Sequence, residues 1–134
     1  MPSLEFAGRH QYRTTSEGIV LPVILSQGRE LVEVRARLDT GAADCLFHRS
    51  VAEQLGIDVE SGIRQVYVTV AGSFTAYGHE LTLRTFNLEW DATVYFHSSG
   101  GQESNFLGRR GWLERVRLGL VHYDESIYLS GYEE

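Results

Sequence analysis

A chain of 134 residues is the length of one domain. Its 43% hydrophobic and 22% charged residues supply a core and an ordinary soluble surface. A net charge of −6 without any run of Lys or Arg argues against nucleic acid and anionic membrane as partners. The lone Cys45 excludes an internal disulfide and fits a reducing compartment. No stretch has the length of a signal-peptide core or a membrane span, so the expected location is cytoplasmic, with no membrane contact.

Residues 1–18 read as an irregular N-terminal arm in which Phe6 and Tyr12 offer docking points, leaving 19–134 as a single domain. The apolar run 19–25 has β composition, and Pro22 within it implies an edge strand or a bulge. A turn at 26–29 leads into the strand 31–38, where Val32, Val34, Ala36 and Leu38 alternate with Glu33, Arg35 and Arg37. That strand ends in Asp39-Thr40-Gly41-Ala42, and Leu46 and Phe47 turn apolar again. A carboxylate between two apolar segments is costly to bury, so it is either paired or used.

A short helix is expected over 48–56, with Ser50 and Glu53 at capping-box spacing and Gly56 past its last turn. Residues 65–70 alternate again, with Val66, Val68 and Val70 on one face. The turn Ala71-Gly72-Ser73 then makes a hairpin with Phe74-Thr75-Ala76-Tyr77. Gly78 reads as a bulge. A second hairpin, 81–86 and 88–96, turns about Asn87, with Leu88, Trp90, Ala92, Val94 and Phe96 on one face. The segment 97–104 is a Gly/Ser loop, 110–115 a second helix, and 116–121 and 126–129 closing strands. Many short strands with glycine turns and one or two short helices predict an all-β closed sheet.

Leu38-Asp39-Thr40-Gly41-Ala42 resembles the active-site loop of the retropepsin-type aspartic proteases. Asn105-Phe106-Leu107-Gly108-Arg109-Arg110-Gly111-Trp112-Leu113-Glu114-Arg115-Val116 resembles that family's other signature, two apolar residues before a glycine and then a short helix. The resemblance spans about 19–129, and the longer Gly-x-x-Gly-aromatic form looks like the cellular, bacterial-type branch. It implies a closed acid-protease-type β-barrel half and an aspartic endopeptidase acting on extended polypeptide, without a cofactor or metal. Asp39 would be the catalytic carboxylate, and Thr40, Gly41 and Ala42 would support the dyad. Ala71, Gly72 and Ser73 would tip a flap. Asp44, Leu46, Phe74 and Phe106 would line substrate pockets, while Gly108 and Arg109 would be structural. Two carboxyls sharing one proton are needed to activate water, and this chain carries one Asp-Thr-Gly, so a homodimer is implied. Ala42 has no hydroxyl to lower the pKa of the carboxylate, which implies activity extending towards neutral pH.

Ala43 stands where viral members often carry an Asp that pairs with the Arg after the second glycine. Asp44, one residue along, is the available substitute partner for Arg109. The alternative reading is a catalytically silent dimerisation or peptide-binding module. Cys45 and His48, three apart, read as an inert core thiol and an unrelated histidine rather than a nucleophile–base pair. The five histidines lack metal-ligand spacing.

Overall fold

The computed structural model describes residues 1–99 and 104–132. Among them the strands are β1 (Gly8–Gln11), β2 (Arg13–Thr15), β3 (Gly18–Gln27), β4 (Glu30–Leu38), β5 (Leu46–Phe47), β6 (Ile63–Thr69), β7 (Gly72–Thr85), β8 (Leu88–His97), β9 (Phe106–Leu107), β10 (Val116–Val121) and β11 (Ser126–Gly131). One α-helix, α1 (Arg49–Gln54), follows β5. The chain is all-β, as its sequence predicts.

The larger sheet runs β2-β3-β4-β9-β5-β8-β7-β6, and β3 also pairs with β7, so the pairings from β3 through β4, β9, β5, β8 and β7 return to β3. A smaller sheet runs β1-β11-β10. Alternation fixes which faces meet: Leu21, Val23 and Leu25 of β3 are buried with Leu81 and Leu83 of β7, Val94 and Phe96 of β8, and Phe47 and Leu107. Each such side chain contributes about 1.5–3 kcal/mol by leaving water. Trp112 is fully buried too, and its indole N–H donates to Thr85 Oγ1 at 2.9 Å. No helix among the described residues is long and apolar enough to cross a membrane.

Several local expectations are corrected. The arm is not irregular throughout: β1 pairs with β11 and β2 with β3, and Tyr12 between them is buried with its hydroxyl 2.7 Å from His122 Nδ1. Pro22 lies inside the sheet rather than on an edge. On one side β3 pairs with β4 from Val20 to Gln27; on the other it pairs with β2 up to Val20 and with β7 from Ile24, and Pro22 falls in the gap, where a missing N–H costs little. His48, not Ser50, caps α1, because its ring accepts the Ser50 N–H; Gly56 takes the left-handed conformation as expected, with φ of +72°. Gly78 forms no interruption. It pairs with both Ile63 and Tyr95, and a Cβ there would sit 2.8 Å from the Tyr95 ring. The second helix reduces to a 3-10 turn over Leu113–Arg115, because Gly111 at φ of +95° breaks the chain direction after Arg110. Of the loop expected at 97–104, residues 100–103 lie outside the described residues.

Candidate active site

β4 delivers Asp39 to the point where the short parallel strand β9 ends. The Asp39 N–H donates to Leu107 O at 3.0 Å, which continues the β4–β9 pairing into the turn. Within the turn, the Ala42 N–H donates to Asp39 O at 3.2 Å and the Gly41 N–H to Asp39 Oδ1 at 3.0 Å. The far side is clasped by the segment after β9: Arg109 N–H donates to Ala42 O at 2.9 Å and Arg110 N–H to Ala43 O at 2.8 Å. Gly108 makes this clasp possible. A Cβ there would collide with the Asp44 carbonyl and lie 2.8 Å from Ala42 O. The loop is thus held almost entirely by backbone, and Asp39 is left half-buried with Thr40 and Gly41 exposed beside it.

Asp39 opens onto a groove of about 290 Å³. The structure brings Asp44, Leu46, Phe74 and Phe106 to its walls together with Ala42 and Asp39. Across the groove from the loop stands the β6–β7 hairpin. Its tip is one residue earlier than the sequence suggested: Thr69 pairs with Gly72, so Val70 and Ala71 form the turn, Gly72 follows at φ of +130°, and Ser73 is already paired with Val68. The three valines share a face, but nothing covers it: Val66, Val68 and Val70 are 42%, 84% and 109% exposed. A larger cleft of about 700 Å³ beside Trp90 and Tyr132 includes no residue of the Asp39 loop.

A model of the aspartyl protease family matches residues 22–109, more than half of the chain. The chain belongs to that family. Its fold is retropepsin-like: it resembles a retropepsin-like aspartic protease from Rickettsia conorii at a TM-score of 0.64 and 19% identity, covering 92% of this chain and 99% of that one. It also resembles EIAV protease complexed with the inhibitor HBY-793, at a TM-score of 0.53 and 15% identity, covering 67% of this chain and 80% of that one. No curated protein sequence matches it.

In this aspartyl protease chain the ion pair near the loop differs from the one anticipated. Asp44 pairs with Arg110, not Arg109: Arg110 Nε donates to Oδ1 at 2.9 Å and a terminal nitrogen to Oδ2 at 3.2 Å. Arg109 is exposed, and its part in the clasp is its backbone N–H. The carboxylate, only 7% exposed, also accepts the Tyr67 hydroxyl at 2.7 Å. Burial alone would raise the Asp44 carboxyl; hydrogen bonds from Arg110 and Tyr67, with the Arg110 charge, hold it below the usual carboxylate range. Burial and the bond to Asp44 push the Tyr67 phenol well above its ordinary value.

Tyr67, Arg110 and His97 are the residues sequence reasoning missed. Tyr67 lies on the opposite face of β6 from the valines and stacks on Phe74 with ring centroids 5.1 Å apart; an aromatic pair flanking a tight turn was the available signal. Arg110 was signalled by a double shift, since the acid moves one place from Ala43 and the base one place from Arg109, which keeps the Asp44–Arg110 bridge in register. His97 packs against Phe74 at 4.8 Å and is 5% exposed, with no hydrogen-bond partner for Nε2 among the described residues. Burial, with the nearby His48, lowers its pKa. Cys45 is fully buried, its thiol donating to Arg110 O at 3.6 Å, and burial pushes that thiol up to about 12. Such a group is no nucleophile at neutral pH.

Proposed function

We propose that this protein is an aspartic endopeptidase that hydrolyses peptide bonds in extended segments, with an active site completed by a second copy of the chain. The observation that carries the reading is Asp39 itself, half-buried at one end of an apolar-walled groove, on a loop fixed by backbone on both sides. One carboxylate cannot take a proton from water and give one to the carbonyl oxygen in the same step. Two at close range, sharing a proton, do both.

In that assembly the ionised Asp39 of one copy accepts a proton from water as the water oxygen attacks the carbonyl carbon. The protonated Asp39 of the other copy donates to the carbonyl oxygen. The tetrahedral intermediate collapses as the leaving nitrogen is protonated, giving a carboxylic acid and an amine and returning the shared proton. Thr40, exposed beside Asp39, hydrogen-bonds across the two-fold axis and joins the loops. Gly41 lets the substrate backbone approach. The β6–β7 hairpin acts as a flap that excludes water, with Ala71, Gly72 and Ser73 at its end. Leu46, Phe74 and Phe106 present apolar walls that favour apolar residues beside the scissile bond, and Asp44 adds a polar group to the lining.

The decisive experiment incubates wild type and Asp39→Asn with a denatured protein mixture. Cleavage by wild type, reduced on the order of a thousandfold or more in the variant, is expected. Binding of the mixture by both proteins without cleavage at any pH would instead assign the chain to the peptide-holding class.

A further inference from the structure

We infer that Tyr67 is the positioning residue that holds the β6–β7 hairpin over the groove, its phenol serving as a latch on Asp44. This rests on reading that hairpin as a flap. β6 is an outer strand whose pairing partner among the described residues is β7. Beyond Tyr67, Val68 and Val70 are 84% and 109% exposed, so burial supplies little force to keep the distal half down. Two rings tie it to the body: Phe74 packs on His97 of β8 at 4.8 Å, and Tyr67 adds both ring contacts and a hydrogen bond. The Tyr67 ring stacks on Phe74 across the hairpin at 5.1 Å and meets Tyr95 of β8 edge-on at 6.0 Å, while its hydroxyl donates to Asp44 Oδ2 at 2.7 Å.

Asp44 is a firm anchor. It is 7% exposed, bridged through its backbone to Arg110, and oriented by two nitrogens of the Arg110 guanidinium. A hydrogen bond to an ionised acceptor is stronger than one between neutral groups, and here the acceptor sits next to the backbone bonds that join Ala42 and Ala43 to Arg109 and Arg110. The hairpin therefore closes onto the segment that follows the Asp39 loop, and opening it breaks this charge-assisted bond together with the ring contacts of Tyr67 and Phe74.

The test compares wild type, Tyr67→Phe and Phe74→Leu by amide hydrogen exchange and by peptide kinetics. Tyr67→Phe keeps the ring and removes the donor. Exchange across residues 66–74 is expected to rise about tenfold while β3, β4 and β8 stay protected. KM rises by a much smaller factor than exchange, with kcat within about twofold, because affinity is lowered only by the fraction of chains newly open. Phe74→Leu keeps the hydroxyl and loosens the hairpin less. Wild-type exchange in Tyr67→Phe overturns the latch, as does equal loosening in Phe74→Leu, which would place the hold in ring packing. Since exchange is read without substrate, a protein that cleaves nothing yet loosens on Tyr67→Phe keeps the latch and sinks the protease reading alone.

Discussion

The two sides of the groove are built on opposite plans. The floor, from Asp39 to Asp44 and from Leu107 to Arg110, is held mainly by backbone hydrogen bonds, with the Asp44–Arg110 ion pair at its end, and Gly108 leaves it no slack. The β6–β7 hairpin has an outer strand, a solvated valine face and an open tip, and is tied down through the contacts of the Tyr67 and Phe74 side chains. On the proposed function, rigidity is placed where a carboxylate is aimed and compliance where a polypeptide would enter. This division implies that equal chemical insults on the two sides have unequal effects.

Gly108→Ala is expected to have the largest effect. Its Cβ meets two backbone carbonyls that cannot rotate away, so stability falls by about 3 kcal/mol or more, read as lost soluble expression or a collapsed urea midpoint. Tolerance of the alanine would show that the floor is softer than drawn.

The pH dependence of stability comes next and separates the two sides. His97, against the hairpin's Phe74, and His10, stacked on Phe86, have pKa values lowered by burial, so the unfolded chain binds protons more readily than the folded one. Stability therefore falls as pH drops below about 6.5, then levels off below their folded values. Asp44 acts in the same direction at lower pH: its stabilisation is present above the ordinary carboxylate range and is lost as pH falls through its depressed folded value. Urea midpoints measured across pH should show two descents, the first reduced in a His97→Phe variant and the second retained. A single descent below pH 4 would contradict the assignment of the upper one to buried neutral imidazoles.

The smallest effect is expected at the tip. Gly72→Ala meets no atom within 4 Å, and its only penalty is φ of +130°, about 1–3 kcal/mol of local strain. The hairpin relieves that strain by fraying, so Tm moves by no more than about 2 °C while exchange near the tip accelerates. A large fall in Tm would mean that the tip is coupled to the core.

What was legible in the sequence follows the same division. The β4 strand and the Asp39 turn are written in consecutive residues, as alternation followed by Asp-Thr-Gly, whereas Leu46, Phe74 and Phe106, which line the groove, were reached only through the family resemblance. Features set by distant partners were not legible. Nothing local marks Gly8–Gln11 as a strand, because its partner is Leu129 to Ser126, over a hundred residues away. The alternation of Val66, Val68 and Val70 reveals a shared face but not whether another layer covers it. At α1, Ser50 and Glu53 had capping-box spacing, but the His48 ring, two residues earlier, took the Ser50 N–H first. The shift from Arg109 to Arg110 depends on Gly111, whose positive φ becomes evident only once Trp112 must reach Thr85.

Sealing Cys45 beneath the Arg110 carbonyl has a practical consequence. With its sulfur fully enclosed and the thiolate inaccessible near neutrality, the folded chain should resist alkylating reagents and mild oxidants. Thiol reagents can therefore report on any engineered surface position without background from the native sulfhydryl, and sudden uptake of such a reagent by the unaltered chain would signal that the core itself has come apart.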